Sequence, residues 1–195
     1  LRSLTPPVGR DSNSIKSATE IAREAVLKSP GQAAVHHMAA GAKPLTLEEQ
    51  LYDARAAFKV KTNMVAMHFG ADWQKKFFFQ LDSILDASEW DPLEPLISES
   101  SFTTLLRILL ILRGKRRPGL GVGPEGTIVA AWTNGPNRLT LECRPADAVR
   151  WIVTQIIDGK PDTATGQTKL ADLLQRLSGF NPEQWFTDEG RQSAT

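Results

Sequence analysis

Apolar residues recur every three to four positions in the first part of the chain and every second position further on. Residues 45–113 contain three stretches with the helical spacing, and Thr46 followed by Glu49 matches a capping box at the start of the first stretch. The third stretch, residues 101–113, is apolar on nearly all sides. We therefore expect three helices, with the third at the centre of the core.

After Pro118 the spacing of the apolar residues changes to that of β-strands. Three alternating runs are separated by turn sequences, and they cover residues 127–133, 138–143 and 149–153. Residues 134–137, Asn-Gly-Pro-Asn, are strong turn sequence between the first two runs. Residues 118–155 thus predict an antiparallel meander of three strands, or of four if residues 119–122 add an edge strand. Residues 158–161 predict the start of a polar loop.

Helices followed by a meander are typical of the α+β class. The predicted fold has N-terminal helices packed on one face of a small three- to four-stranded antiparallel sheet, with a C-terminal helix and tail over residues 166–187. Residues 1–44 are interrupted by proline and glycine. Residues 14–28 favour one amphipathic helix, but three of the five apolar residues near its one face, Ile15, Ala18, Ala22, Ala25 and Val26, are alanines, which bury little area. Residues 1–44 therefore predict a loosely packed or partly disordered arm ahead of a single domain over residues 45–195.

The net charge of the chain is +1, from 23 Lys and Arg against 22 Asp and Glu, which excludes a globally basic or acidic protein. The charges are nevertheless segregated along the sequence. An acidic stretch without any basic residue comes first, with Asp82, Asp86, Glu89, Asp91, Glu94 and Glu99. A basic cluster without any acidic residue follows, with Arg107, Arg113, Lys115, Arg116 and Arg117.

This basic cluster, residues 107–117, allows two interpretations. Its cations either cap the C-terminal end of an apolar helix and pair with the preceding acids, or they form a site for phosphate, nucleic acid or an acidic partner. In the second case the binding residues are Arg113, Lys115, Arg116 and Arg117.

Few residues suit metal or nucleotide chemistry. With one cysteine and three histidines, neither a disulfide framework nor a metal site is expected, and no cofactor is predicted. Residues 121–126 fit G-x-G-x-x-G, but the residues that follow are typical of a strand, whereas a dinucleotide site needs a helix there. A hairpin turn is therefore the preferred interpretation. Cys143 alternates with apolar neighbours and is predicted to face the core.

Asp82 and Asp86 lie four positions apart on a predicted helix, a spacing that places an acid–base pair on one helix face. Such a row is more often the solvated side of an amphipathic helix. With no other catalytic constellation in the sequence, the balance is against an enzyme.

Trp185 and Phe186 lie in the C-terminal tail, outside any long periodic segment. Two interpretations apply to them. They are either an anchor that docks the tail on the domain, or hot-spot residues for a binding partner, since aromatic side chains dominate interface energetics.

Several short segments of the predicted sheet resemble a family of uncharacterised bacterial proteins. They are Arg116-Arg117-Pro118-Gly119-Leu120-Gly121-Val122, then Gly126, Ala131-Trp132, Arg138-Leu139-Thr140-Leu141 and Val149-Arg150-Trp151. The resemblance covers a minor part of the chain, and its motif is that of a sheet. It implies a bacterial origin, and it brings no activity, cofactor or residue roles.

Together these features favour a non-catalytic bacterial interaction or adaptor protein, of the antitoxin or immunity type, with a protein as its partner. The first alternative is a protein that binds nucleic acid or phosphate through the basic cluster, and the second is an enzyme that uses Asp82 and Asp86. The most apolar run, residues 105–112, is too short to cross a bilayer, and residues 1–9 lack the apolar core of a signal peptide. We expect a cytoplasmic protein without membrane contact, and the sequence leaves homo-oligomers open.

Overall fold

The computed structural model describes residues 44–113 and 116–187. They form helices in the first half and an antiparallel sheet in the second, so the chain has the predicted α+β architecture. The predicted arm lies outside the described residues except for Pro44, and Lys115 of the basic cluster lies outside them as well.

Three long helices occupy the stretches with the helical spacing: α1 (Leu47–Val65), α2 (Ala71–Ile84) and α3 (Glu99–Leu112). The predicted capping box is present at the start of α1. Thr46 Oγ1 accepts a hydrogen bond from the Glu49 N–H, and the Glu49 carboxylate accepts one from the Thr46 N–H. A short 3₁₀ turn, Ala66–His68, and Gly70 with a φ of 77° separate α1 from α2.

Five antiparallel strands follow in sequence order: β1 (Gly119–Gly123), β2 (Thr127–Asn134), β3 (Asn137–Arg144), β4 (Ala148–Ile157) and β5 (Lys160–Lys169). Each strand pairs with the next along the chain, so the sheet is the predicted meander. Two short helices close the described chain: α4 (Leu173–Leu177) and α5 (Glu183–Phe186).

The sheet has five strands where three to four were expected. The additional strand, β5, occupies residues for which the sequence predicted a polar loop and the start of a helix. It pairs with β4 from Ala148↔Lys169 to Ile157↔Lys160. β5 lacks the alternation of apolar and polar residues because none of its residues is buried. The indole ring of Trp151 on β4 lies against β5 at Gly166. A Cβ atom at Gly166 would lie 2.4 Å from that ring, so only a position without a side chain fits there.

The core lies between the inner face of the sheet and the helices. Alternating residues of three strands are buried there, as predicted: Ile128, Ala130, Trp132, Leu139, Leu141, Cys143, Val149, Trp151 and Val153. On the helical side, Phe102 of α3 stacks on Phe58 of α1, with 4.1 Å between the ring centroids. The ring of Phe77 in α2 lies 6.5 Å from that of Phe102. The three helices therefore meet in one aromatic cluster.

Two buried hydroxyl groups of α3 join the helix to the sheet. Ser101 Oγ donates to the carbonyl of Cys143 at 2.5 Å and accepts from the N–H of Ile128 at 2.8 Å. Thr104 Oγ1 donates to the carbonyl of Arg144 at 2.9 Å. Ile128 and Cys143 are register partners at the end of the β2–β3 ladder, so Ser101 satisfies both strands where their pairing ends.

Replacing Ser101 by alanine is expected to lower the free energy of unfolding by about 2–4 kcal/mol, because two buried backbone groups lose their hydrogen-bond partner. Urea denaturation of the variant measures this loss. Ser100→Ala is the matched control, since Ser100 is exposed one position earlier on the same helix. Equal stability of the two variants would contradict the role assigned to Ser101.

Candidate interaction surface

α1 has apolar residues on two opposite sides. The side that faces the core is buried and carries Leu51, Phe58, Thr62 and Val65. The opposite side carries Tyr52, Val60 and Met64, of which 64 %, 62 % and 52 % of the surface is exposed. Burial in the core therefore explains the first set, whereas the second set is exposed, with only the guanidinium of Arg55 over the Tyr52 ring, 5.9 Å from its centroid, as a ring contact among the described residues.

The exposed side chains form one ridge. Tyr52, Ala56, Val60 and Met64 follow one another at intervals of four residues, and all four are exposed. Each such step turns by only about 40° around the helix axis, so the side chains stay on one strip. We call these four residues the α1 ridge. Met67 in the turn after α1 is 77 % exposed and continues the apolar surface.

The outer face of α2 adds an apolar groove to this surface. The groove has a volume of about 380 Å³ and is lined by Ala71, Gln74, Lys75, Phe78, Phe79 and Asp82. Phe79 is 63 % exposed. The ammonium group of Lys59 lies 5.6 Å from the centroid of the Phe78 ring, so a positive charge lies beside an aromatic residue that lines the groove.

Ion pairs and a hydrogen bond fix α1 against its neighbours. The carboxylate of Asp82 on α2 lies 2.6 Å from Lys59 Nζ and 3.8 Å from the guanidinium of Arg55. The amide of Gln74 on α2 donates to the side chain of Asn63. These contacts join the middle of α1 to the end of α2, and the end of α1 to the start of α2, so the two helices form an antiparallel hairpin. The α1 ridge is therefore held on a rigid support.

Charge is unevenly distributed along α1. Its acidic residues, Glu48, Glu49 and Asp53, lie in the first two turns, and its basic residues, Arg55, Lys59 and Lys61, lie beyond them. Lys61 Nζ lies 2.9 Å from the carboxylate of Glu99 on α3. Lys75 at the start of α2 is exposed and forms no ion pair with another described residue. The start of α1 is thus acidic, whereas the opposite end of the hairpin carries Lys75 and the ion pair between Asp72 and Lys76.

Among the described residues, no ion pair joins Arg113, Arg116 or Arg117 to the acidic stretch. The guanidinium of Arg116 donates to the carbonyl of Thr133, and that of Arg117 donates to the carbonyl of Lys76 at 3.1 Å. Arg113 is exposed and ends α3 in a left-handed conformation. The structure therefore places two of the predicted binding residues in contact with the main chain.

Arg107, the first residue of the basic cluster, is bound to the turn between β3 and β4. Its guanidinium donates to both carboxylate oxygens of Asp147, at 2.7 and 2.8 Å. Ala146 and Asp147 both have positive φ values, 56° and 57°, which non-glycine residues adopt at a cost. The ion pair thus stabilises a strained hairpin turn.

The two candidate catalytic carboxylates have separate structural partners. Asp82 is held by Lys59, and the pKa of Asp86 is lowered by hydrogen bonds from the backbone and the side chain of Ser88. A lowered pKa keeps Asp86 ionised at neutral pH, whereas a general acid needs a raised pKa. The structure does not bring these two carboxylates together as an acid–base pair.

Near Asp86, an acidic pocket of about 320 Å³ opens between α2 and β1. It is lined by Ser83, Ile84, Asp86, Glu89, Trp90, Glu94 and Val122. Among the described residues, no three His, Cys, Asp or Glu side chains are grouped so that they could hold a metal ion.

The G-x-G-x-x-G segment forms a hairpin turn, as predicted. Pro124–Gly126 makes a single 3₁₀ turn, and the strand β2 follows it directly. Gly126 has a φ of 67° and packs against the carbonyl of Leu96. The glycine pattern therefore reflects tight packing of the turn against the segment before α3.

The two aromatic residues of the tail are buried in the domain. Trp185 is 0 % and Phe186 is 4 % exposed, and the Phe186 ring packs edge-on against Trp132 at 5.3 Å. The carbonyl of Phe186 accepts a hydrogen bond from the N–H of Arg116 at 3.2 Å. Cys143 is also buried, and desolvation raises the pKa of its thiol, which stays protonated at neutral pH.

The α1 ridge was missed by the sequence analysis, although its signal is present. The inward stripe of α1 was recognised from its helical spacing, and the exposed set has a spacing of four residues on the same helix. An amphipathic helix needs only one apolar side, so a second apolar side opposite the first is the feature that could have identified the surface.

Comparison with protein-family models, curated proteins and solved structures found no match to this chain. No helix in the described part of the chain is both long and apolar enough to cross a membrane.

Proposed function

We propose that this chain is a non-catalytic interaction or adaptor protein, which binds another protein chain through the outer face of the α1–α2 hairpin. The observation that carries the proposal is the α1 ridge. Single exposed apolar residues are normal on a protein surface, but a contiguous apolar strip marks an interaction site.

The composition of this face supports the same conclusion. Tyr52, Met64 and Phe79 belong to residue types that are enriched at protein interfaces, and methionine adapts its shape to a partner. The groove on α2 provides a depression for an apolar anchor, with Lys59 and Lys75 at its edge. Because Lys59 is paired with Asp82, Lys75 is the cation that an acidic group beside the apolar anchor of a partner would meet.

The two alternative functions have weaker support. Nucleic-acid binding needs guanidinium groups that are available to phosphates, and those of Arg116 and Arg117 each donate to a main-chain carbonyl. Catalysis by Asp82 and Asp86 needs a pair of carboxylates with different pKa values at one site, and these two residues are bound to separate partners.

Reconstitution with a purified companion tests the proposal. The full chain is purified from its native source, its stoichiometric companion chain is identified and produced separately, and the Kd of the pair is measured. We expect Met64→Glu and Phe79→Glu to raise the Kd by at least about 100-fold, because each would bury an unpaired carboxylate. Leu174→Glu is the control, since Leu174 is exposed on α4, away from the hairpin.

Three results would overturn the proposal. The first is a companion that binds the two hairpin variants as tightly as the wild-type chain. The second is an equal loss of binding for Leu174→Glu. The third is a native protein that purifies without another protein and also remains monomeric at concentrations up to about 1 mM.

A further inference from the structure

We infer that the α1 ridge binds the α1 ridge of a second copy of this chain, with the two helices antiparallel about a two-fold axis. This inference rests on the proposed function, since it names the occupant of one part of the proposed surface. It is carried by the order of side chains along the ridge and by the distribution of charge along α1.

The order of side chain sizes along the ridge is self-complementary. A two-fold axis between Ala56 and Val60 places Tyr52 of one copy against Met64 of the other and Ala56 against Val60. At both ends an aromatic ring then meets a thioether, which is a favourable contact. At the centre the small Ala56 allows the helices to approach closely.

Charge favours the antiparallel arrangement over the parallel one. In an antiparallel pair, the acidic end of one α1, with Glu48, Glu49 and Asp53, lies beside the end of the other hairpin where Lys75 is exposed. The two helix dipoles also oppose each other. A parallel pair would place the acidic ends side by side and align the dipoles. The charge distribution along α1 thus favours the antiparallel pair and also disfavours the parallel pair.

The expected dimer is reversible. A contact confined to one face of one helix from each copy falls among the small interfaces, below about 1,200 Å² in total, and such interfaces are weak. We therefore expect a monomer–dimer equilibrium that shifts with protein concentration, between about 1 µM and about 1 mM. Lys75 lies at the edge of this contact, whereas Phe79 and the rest of the groove on α2 lie outside it.

Sedimentation velocity of the full chain over this concentration range tests the dimer. The wild-type chain should sediment as a monomer at the lowest concentration and increasingly as a dimer at the higher ones. Val60→Glu should raise the dissociation constant by at least about 100-fold, because its carboxylate would be buried without a partner. Leu174→Glu should behave as the wild-type chain. Thermal unfolding should show that both variants are folded.

Disulfide cross-linking tests the orientation. Cys143 is buried and its thiol is protonated, so it gives little background. Ala56→Cys and Val60→Cys are prepared as separate proteins. We expect the mixture to cross-link about tenfold faster than either variant alone, since a disulfide forms only where the Cβ atoms are about 3.5–4.5 Å apart. If Val60→Cys alone cross-links as fast as the mixture, the antiparallel register is wrong.

A wild-type chain that stays monomeric at the highest concentration overturns the dimer. That result can be distinguished from failure of the proposed function. If a different companion chain still binds, and Met64→Glu and Phe79→Glu still weaken its binding, the proposed function stands and only the second copy is excluded as occupant of the ridge.

Discussion

Replacing Gly126 by alanine is expected to lower the free energy of unfolding by about 3–5 kcal/mol, which exceeds the effect of most single substitutions. A Cβ atom at this position would lie 2.2 Å from the carbonyl oxygen of Leu96, and backbone cannot move aside as a flexible side chain can. The φ of 67° adds roughly 1–2 kcal/mol for a residue with a side chain. The Gly126 carbonyl also accepts from the N–H of Ser98, the N-cap of α3.

Two other glycines provide matched controls for this prediction, with urea denaturation as the measurement. Gly121 lies in the same G-x-G-x-x-G segment, and nothing lies within 4 Å of a Cβ atom there. Gly135 has a φ of 55° and equally open surroundings, so Gly135→Ala isolates the cost of the left-handed conformation. We expect losses in the order Gly126 > Gly135 > Gly121. If Gly126→Ala lowers the free energy of unfolding no more than Gly135→Ala does, steric contact with Leu96 does not destabilise the variant.

Replacing Trp185 by alanine is expected to lower the free energy of unfolding by about 3–5 kcal/mol, as for other large buried aromatic residues. Trp185 is fully buried, although only a four-residue helix carries it. The hydrogen bond between Asn137 and Gln184, at 3.2 Å, joins this short helix to β3. Loss of the indole ring should therefore both open a cavity and weaken the docking of the whole tail.

Trp185→Phe serves as the conservative variant. The buried indole N–H of Trp185 has no hydrogen-bond partner among the described residues, so its removal breaks no bond to them, and we expect a loss of only about 1–2 kcal/mol. Leu174→Ala, at a half-exposed position of α4, should cost less still. Equilibrium unfolding followed by far-UV circular dichroism measures all three. A Trp185→Ala protein as stable as the wild-type chain would mean that the tail contributes nothing to the core.

Elements with a periodic apolar pattern could be predicted from the sequence, and the one without it could not. The three long helices and the strands β2, β3 and β4 each bury one side against the rest of the chain, and their apolar residues repeat accordingly. β5 consists almost entirely of polar and small residues. Hydrogen bonds to β4 and the ring of Trp151 over Gly166 hold β5 in the sheet. Neither contact requires a periodic apolar pattern in the sequence of β5.

The candidate site was predicted less well than the fold. One of the two interpretations of the basic cluster was that its arginines pair with the acids just before them in the sequence. In the structure Arg107 instead pairs with Asp147, forty residues further on, and Asp82 with Lys59, twenty-three residues earlier. Electrostatic partners are set by which helix and strand surfaces come into contact, and segregation of charge along the chain does not reveal this.

By itself, the sequence determined the class of the fold, the order of its main elements and the hairpin nature of the glycine-rich segment. These follow from local periodicity and turn chemistry, which are properties of short stretches of chain. Only the tertiary structure decided that β5 joins the sheet, that Trp185 belongs to the core, and which apolar side of α1 is left uncovered. Each of these depends on contacts between residues that are distant in the sequence, and the α1 ridge is exposed because the core occupies the other side of its helix.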